Sequence, residues 1–410
     1  MPPIDENELA FRKGLALDIL TWRAYEPETE ASPMLAVGVA IEKPTYDYPA
    51  NTEPKPYALD PVPADDAALP TADVIVVTWT RDEWDALADI FTPGVSIAKY
   101  YKYRRNFDQY LPQIRTGAPA RMLNRLGAYY MTKIGDKKVV VLKSDLHLNQ
   151  DSIASQTKPG TATLPVKQFF DQIIDETNAS VVITTGTAGA VYTKQDLGDV
   201  VVTRAGRFHL HDEFKNEPFN NKTYKSDWTV PKKYFDDAKK FMNRYASNLS
   251  SGPILPPTVN YNPNTADKCP TPISNPDPNI WLDGEGDMPA FHPILTTDFF
   301  EFGTSTNGLE KIGAACEMGD AVLGLAIDER AAAGKSAPKW VIVRNCSDPQ
   351  INGNLVGKPS KISQQAMWAV YFYKGYGYWT TVMSAIACWA IVAGLRATLT
   401  SPPKSSSCTS

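Results

Sequence analysis

Apolar runs of strand length, separated by segments of helical length, constrain the fold of this chain more than any other feature. The run Asp73–Thr78 (DVIVVT) is almost continuously apolar, as in strands that are buried on both faces of a sheet. Helical patterns follow it from Trp84–Phe91 and again over residues 165–177. Further strand-like runs occur at Lys137–Lys143, Ser180–Thr184, Val200–Thr203 and Trp340–Arg344. This alternation predicts an α/β fold of three layers (αβα) with a central mixed, mainly parallel sheet.

Small residues follow one of these runs, in the segment Val181–Val202 (VVITTGTAGAVYTKQDLGDVVV). We expect its small residues to form a loop at the carboxyl end of a strand, where bare backbone N–H groups come close to a ligand. Open α/β sheets bind ligands at that edge. The segment matches neither the dinucleotide nor the nucleoside-triphosphate glycine pattern. It therefore predicts a site for a sugar or a phosphate, formed by Gly186, Thr187, Ala188 and Gly189.

Composition narrows the class of protein. With 43% hydrophobic residues in 410, the chain can bury a large core, and a net charge of −5 argues against general nucleic-acid binding. Its five cysteines lack C-x-x-C spacing, which favours a reducing compartment and no structural zinc. The first residues, MPPIDENELAF, lack the basic-then-apolar pattern of a secretory signal. We therefore expect a cytoplasmic protein.

Proline-rich segments divide the chain. Residues 1–70 are interpreted as an N-terminal extension, with a helix at Glu8–Tyr25 and a proline-rich linker that favours extended chain over packed structure. Residues 71–400 are predicted to form the α/β domain, interrupted by a proline-rich insertion at 251–280. Residues 401–410 are predicted to be a flexible tail.

Three local patterns are given structural interpretations. His209 and His211 are weak evidence for a metal site, and we predict none. The segment Lys99–Arg105 (KYYKYRR) is interpreted as a surface strand or turn rather than a nucleic-acid site. The apolar segment Tyr378–Leu395 has the length of a short membrane span, but its small and hydroxyl residues favour a buried core helix. We therefore expect neither nucleic acid nor membrane among the partners.

Gly186–Gly189 and four further motifs are similar to motifs of the nucleoside phosphorylase superfamily and occur in the same order. Among the members of that superfamily, the chain most resembles nucleosidases such as methylthioadenosine nucleosidase. The motifs are VIVVTWTRDEWDAL (Val74–Leu87), TTDFF (Thr296–Phe300), CEMGD (Cys316–Asp320) and VRNCSD (Val343–Asp348). The resemblance covers about Ala72 to Leu395. It implies the superfamily's α/β fold, cleavage of the N-glycosidic bond of a nucleoside or nucleotide, purine type favoured, no cofactor, and a homo-oligomer.

The resemblance also assigns two catalytic residues. Glu83 corresponds to the glutamate that activates water, and Asp348 to the aspartate that protonates the departing base. This division of labour is chemically sound, because one carboxyl group lowers the cost of charge on the base and the other generates the nucleophile. The alternative interpretations are a solvated first-turn glutamate for Glu83 and a cap or turn acid for Asp348.

The substrate-binding residues follow from the same resemblance. Gly186–Gly189 would lie beneath the ribose, Phe300 would stack on the base, Glu317 and Met318 would contact the sugar, and Ser347 would adjoin Asp348. Asp199 is interpreted as structural.

The chain departs from the family at two positions. Thr297 replaces a glycine, and Gly319 stands where the family has a glutamate that binds ribose hydroxyls. Asp320 is a candidate substitute for that glutamate, and a modified sugar, a different ligand for the hydroxyls or a loss of activity would equally account for the glycine.

Whether water or phosphate attacks the sugar depends on the cationic side chains at the site. Phosphorolytic members place an arginine two residues before the glycine loop, where this chain has Thr184. A phosphate dianion needs cationic contacts, and Arg81 is the candidate phosphate-binding residue. Hydrolysis is therefore the prediction. Two alternatives stay open: phosphorolysis with inorganic phosphate as co-substrate, for which Arg207 and Arg344 are unassigned cations, and a catalytically degenerate nucleoside-binding protein.

Overall fold

The computed structural model describes residues 4–26, 28, 44–148, 159–249, 276–283, 292–358 and 363–395. The predicted tail at 401–410 and residues 251–275 of the proline-rich insertion lie outside the described residues. The helices are α1 (Glu6–Thr21), α2 (Arg81–Phe91), α3 (Phe107–Tyr110), α4 (Pro119–Leu123), α5 (Pro165–Thr177), α6 (Asp236–Tyr245), α7 (Ala321–Ala332) and α8 (Gln364–Gly394). Short 3₁₀ helices lie at Ile97–Lys99, Leu111–Gln113, Lys232–Phe235, Ala246–Leu249 and Leu309–Lys311.

The strands form one mixed sheet. They are β1 (Pro54–Tyr57), β2 (Val74–Thr78), β3 (Tyr101–Tyr103), β4 (Gly127–Ile134), β5 (Lys137–Ser144), β6 (Val181–Ala190), β7 (Val200–Thr203), β8 (Ala205–Phe208), β9 (Thr223–Lys225), β10 (Ile280–Leu282), β11 (Ile294–Thr296), β12 (Ala315–Glu317) and β13 (Lys339–Asp348). The central strands β5, β2, β6 and β13 are parallel to one another. At its far end β6 also pairs with β12 in antiparallel fashion. Strands β4, β1, β3, β7 and β9 add antiparallel pairs at the margins.

Two hydrophobic cores cover the two faces of this sheet. Alternate residues of β2 point to opposite sides, so that Val74 and Val76 belong to one core and Ile75 and Val77 to the other. The first core is completed by α1, α2, α6 and α8, and the second by α3, α4, α5 and α7. The predicted three-layer αβα fold with a central mixed sheet is therefore confirmed.

The N-terminal segment is more closely integrated than the sequence predicts. α1 begins at Glu6 because Asp5 accepts hydrogen bonds from the backbone N–H groups of Asn7 and Glu8. It ends at Thr21, shortly before Arg23, whose φ is +57°. In the proline-rich stretch, Pro54–Tyr57 forms β1 and pairs with the edge of β4. The expectation that this stretch does not pack is thus wrong at β1, where prolines are tolerated because the strand is at an edge.

The small-residue segment is not a loop. β6 continues through Gly186, Thr187, Ala188 and Gly189 to Ala190, because β13 pairs with it along this length and β12 joins at its end. The predicted binding loop is therefore a strand whose small side chains leave one face of the sheet open. This placement fixes the segment more rigidly than a loop would.

The other local predictions concern α8 and β3. α8 packs on β6, β13 and α2. By length and composition it is apolar enough to cross a membrane, and 83% of its most apolar window is buried in the protein. This packing confirms the predicted core helix at Tyr378–Leu395. Within Lys99–Arg105, Tyr101–Tyr103 forms the edge strand β3, as the sequence predicts.

Candidate active site

A cavity opens at the carboxyl ends of β2, β6 and β13, the edge at which parallel sheets bind ligands. It encloses about 560 Å³ of open space, a volume that includes solvent at its mouth. Its lining joins segments that are remote in sequence: Ile19, Leu20, Trp79, Thr80, Glu83, His147, Thr187, Ala188, Gly189, Phe300, Glu301, Cys316, Glu317, Met318, Gly319, Arg344, Ser347, Asp348 and Tyr373.

Glu83 lies on one wall of the cavity, in the first turn of α2. Its Oε2 accepts hydrogen bonds from the backbone N–H groups of Trp79 (3.0 Å) and Thr80 (2.9 Å) and from the Thr78 hydroxyl (3.1 Å). Its Oε1 accepts from the backbone N–H and the hydroxyl of Thr187, at 2.8 and 2.7 Å. Only 2% of Glu83 is exposed, so the solvated-glutamate interpretation is wrong. Five donors fix the carboxylate against β6.

Gly186 permits this close approach. A Cβ atom at this position would lie 2.5 Å from Glu83 Oε1 and 2.6 Å from Arg344 Nη1. The backbone φ is +153°, which other residues rarely adopt. Gly186 itself is not among the lining residues of the cavity; it lies behind Glu83 and Arg344 and lets them converge.

Replacing Gly186 with Ala is therefore expected to displace both side chains. Misplacing catalytic groups by about 1 Å costs on the order of 100-fold in rate, so we expect a loss of that size in kcat. Gly14→Ala is the matched control, because no atom lies within 4 Å of the added Cβ there. Steady-state kinetics of the two variants test this, and equal kcat values would contradict it.

Asp348 lies on the opposite wall, at the last residue of β13. A bulge between Cys346 and Asp348 shifts the register, so that Asp348 pairs with Gly189. Its Oδ1 accepts a hydrogen bond from the Ser347 hydroxyl at 2.9 Å. Its Oδ2 is buried and has no hydrogen-bond partner among the described residues. Asp348 is thus neither a helix cap nor a solvated turn acid.

The environment of Asp348 favours its protonated form. Burial raises the pKa of Asp348 to about 7, and the hydrogen bond from Ser347 offsets only part of this rise. A carboxyl group with a pKa of about 7 is protonated in about half of the molecules at pH 7 and in nearly all of them below pH 6. Oδ2 is the oxygen without a partner, so it is the one free to donate that proton to a bound ligand.

The two carboxyl groups both lie against β6. Glu83 binds Thr187, and a Cβ on Gly189 would lie 3.0 Å from Asp348 Oδ2. Thr187 and Gly189 are two residues apart on β6, so their Cα atoms are about 7 Å apart and their side chains point to the same face. The two acids therefore flank the same gap above β6.

Arg344 is the central cation of the site. Its Nε and Nη2 bind the two oxygens of Asp320, at 2.6 and 2.8 Å. Nη2 also contacts Glu317 Oε2 at 3.2 Å, and Nη1 lies 3.8 Å from Glu83 Oε1. The guanidinium stacks over the Trp79 ring, 4.7 Å from its centroid. Three carboxyl groups thus surround one buried cation.

The CEMGD segment supplies the next part of the wall. Glu317 Oε1 accepts hydrogen bonds from the Thr296 hydroxyl and from the Asp320 N–H. Burial and the charge of Asp320 raise the pKa of Glu317, against the lowering effect of Arg344. Asp320 does not substitute for the missing glutamate, because it is fully buried and paired with Arg344. A Cβ on Gly319 would meet Glu317 and Trp79 only at ordinary contact distances, 3.6 Å or more.

Most of the predicted site residues meet at this cavity. Its lining includes Glu83, Thr187, Ala188, Gly189, Phe300, Glu317, Met318, Ser347 and Asp348. Arg81 is absent from that lining: its Nε binds Asp85 at 3.1 Å and its Nη1 binds the Glu26 carbonyl at 3.2 Å. The structure therefore contradicts the phosphate-binding prediction for Arg81, since the helix turns this side chain away from Glu83. Arg207 lies on β8 and is also not a lining residue.

Sequence reasoning missed several lining residues. His147 follows the carboxyl end of β5, a signal that could have been used because β5 lies beside β2. Burial and the charge of Lys143 hold the pKa of His147 well below its usual value, so its imidazole is neutral. Ile19, Leu20 and Tyr373 come from α1 and α8, and no local motif marks them.

His209 and His211 lie side by side. His209 Nε2 and His211 Nε2 are 3.0 Å apart, and burial lowers the pKa of His209 to about 4. Over the ranges that the structure describes, no group of three or more His, Cys, Asp or Glu side chains could hold a metal ion.

Solved structures similar to this chain include nucleosidases. No family model matches the chain, and no curated protein matches it in sequence. One similar structure is the 5′-methylthioadenosine/S-adenosylhomocysteine nucleosidase of Neisseria meningitidis in complex with methylthio-immucillin-A (14% identity, 78% of this chain and 99% of that chain covered, TM-score 0.42).

Two further similar structures come from Helicobacter pylori. The 5′-methylthioadenosine/S-adenosylhomocysteine nucleosidase with butyl-thio-DADMe-Immucillin-A is 10% identical, with 79% of this chain and 99% of that chain covered and a TM-score of 0.42. Futalosine hydrolase is 10% identical, with 78% and 97% covered and a TM-score of 0.40. At these identities the likeness extends to the fold alone.

Proposed function

We propose that this protein cleaves the N-glycosidic bond of a nucleoside, purine type favoured, by hydrolysis. The observation that carries the proposal is the pair of buried carboxyl groups across β6. Asp348 has a raised pKa and an unpartnered Oδ2, whereas the Glu83 carboxylate is fixed by five donors. Two acids in such different surroundings suit the roles of general acid and general base.

The reaction follows from this arrangement. Asp348 donates its proton to the departing base as the C–N bond breaks, which neutralises the charge that develops on the base. Glu83 accepts a proton from a water molecule that attacks the anomeric carbon. Arg344 balances the carboxylates around it and helps to hold Glu83 in place. Phe300, in the lining of the same cavity, offers an aromatic ring to the base.

The charge of the site favours water over phosphate. Arg344 is already paired with Asp320 and Glu317, and it is the one arginine or lysine among the described residues that line the cavity. A phosphate dianion would lie near Glu83 and Glu317 without a free cation to bind it. The products are therefore a free base and a free sugar, and no cofactor is required.

A panel assay tests the proposal. The full chain is incubated with purine and pyrimidine nucleosides and nucleotides, with and without inorganic phosphate, and the released base and sugar are quantified. We expect base release without phosphate. Formation of sugar 1-phosphate, strictly dependent on phosphate, would instead identify a phosphorylase. Tight binding without turnover across the panel would identify a nucleoside-binding protein.

The pKa of Asp348 predicts the pH dependence of the reaction. The acid must be protonated, and its pKa is about 7, so kcat is expected to be level below pH 7 and to fall about tenfold per pH unit above it. A p-nitrophenyl riboside, whose leaving group needs no proton, is the control and should not show this loss. Measurement of kcat from pH 5 to 9 tests both substrates. A purine profile that rises through pH 7 would refute the acid assignment.

A further inference from the structure

α1 crosses the cavity from one wall to the other. Near its middle, Arg12 Nη1 pairs with Glu301 Oε1 at 2.6 Å, and the Arg12 carbonyl accepts a hydrogen bond from the Phe300 N–H. Just beyond its end, Arg23 pairs with Asp82, the neighbour of Glu83 in α2. The helix therefore runs from the wall that carries Phe300 to the wall that carries Glu83.

The last turns of α1 place two apolar side chains in the cavity. Leu20 is only 4% exposed and lines the cavity, and over the described residues it belongs to none of the three clusters of buried apolar side chains. Ile19 also lines the cavity and joins the core beneath α8. Leu17, on the same helix, is 40% exposed and does not line the cavity.

The charged side chains next to the end of α1 are paired with one another. Arg23 is paired with Asp82, Asp85 and Glu26. Tyr373, which is close to Asp82 and Arg23, and the Trp79 ring also line the cavity. A ligand group at this end therefore meets apolar and aromatic surface, and in the described part of the chain no unpaired arginine or lysine lines it.

We propose that α1 is part of the substrate site, with Ile19 and Leu20 as specificity-determining residues that contact the sugar end of the ligand and select uncharged over charged groups there. The inference rests on the proposed function, because Glu83 marks the sugar end only if it activates the attacking water. Leu20 is the residue to test, since its side chain lines the cavity and belongs to no apolar cluster in the part of the chain that the structure describes.

The test uses the full chain with Leu20→Ala, Leu20→Lys and the matched control Leu17→Ala. For each, kcat and KM are measured with a nucleoside and with its 5′-phosphate.

Loss of apolar contact in Leu20→Ala is expected to raise KM for the nucleoside about tenfold, with a smaller change in kcat. Leu20→Lys is expected to shift the kcat/KM ratio of the two substrates at least tenfold towards the phosphate, and Leu17→Ala is expected to match wild type. Because this ratio does not depend on the fraction of folded protein, it remains informative for a destabilised variant.

Unchanged KM in Leu20→Ala and an unchanged substrate ratio in Leu20→Lys would overturn the inference. Failure of the proposed function looks different, because wild type would then release no base at all. In that case, binding of the nucleoside is followed by tryptophan fluorescence. Weaker binding to Leu20→Ala than to Leu17→Ala would still support contact with α1, and equal binding would overturn it.

Discussion

Asp348→Asn is expected to lower kcat for purine release by about 10²- to 10⁴-fold, the usual contribution of a general acid. The amide has nearly the shape of the protonated carboxyl group and still accepts the hydrogen bond from Ser347, but it has no acidic proton to give the base. Base release is followed by absorbance, and the melting temperature shows whether the fold is kept.

A substrate with a better leaving group separates chemistry from structure. A p-nitrophenyl riboside departs without protonation, so Asp348→Asn should cleave it at close to the wild-type rate. Equal loss on both substrates would point to a distorted site rather than a missing acid. Full activity on purine nucleosides would show that another group protonates the base.

Arg344→Met is expected to reduce the free energy of unfolding by about 3–5 kcal/mol and to abolish activity. The substitution keeps much of the side-chain volume but leaves the fully buried Asp320 without its bidentate partner. Glu317 and Glu83 also lose their nearby cation. Chemical denaturation of the variant at constant pH measures the change.

The double variant Arg344→Met/Asp320→Asn isolates the cause. It removes the charge of Asp320 together with that of Arg344, so it should recover part of the stability lost in Arg344→Met. Activity should stay low, because Glu83 still lacks the guanidinium beside it. If the free energy of unfolding of the double variant falls by the sum of the losses in the two single variants, Arg344 does not stabilise the protein through its ion pair with Asp320.

Local sequence is enough to predict the fold and the position of the two acids. The run Asp73–Thr78 and its repeats indicate strands because burial on both faces demands apolar residues without interruption. Glu83 and Asp348 each lie at the end of such a strand or just after it, and that position brings them to one edge of the sheet. The strand against which both acids lie, β6, is however predicted to be a loop because of its small residues. Pairing with β13 and β12 keeps it extended, and small residues do not reveal such pairing.

The wrong predictions from sequence are explained by contacts between side chains that local motifs do not reveal. Arg81 is a reasonable cation for phosphate by its closeness to Glu83 in sequence, but on a helix two positions amount to a rotation of about 200°, and Asp85 binds it. Asp320 is a candidate to face the sugar, and Arg344, from a different strand, binds it instead. The contribution of α1 is unpredictable for the same reason, since nothing near Leu20 in sequence marks a cavity.

The position of α1 has a consequence for how the protein is made. This helix precedes the other described elements in the chain, but its partners are synthesised late: Arg12 pairs with Glu301, and Asp18 with Lys374 at 2.7 Å. Contacts between residues so far apart in sequence form slowly, after the intervening chain has been ordered. The wall that α1 contributes is thus among the last parts to be assembled, so a nascent chain has no complete pocket until α8 has emerged.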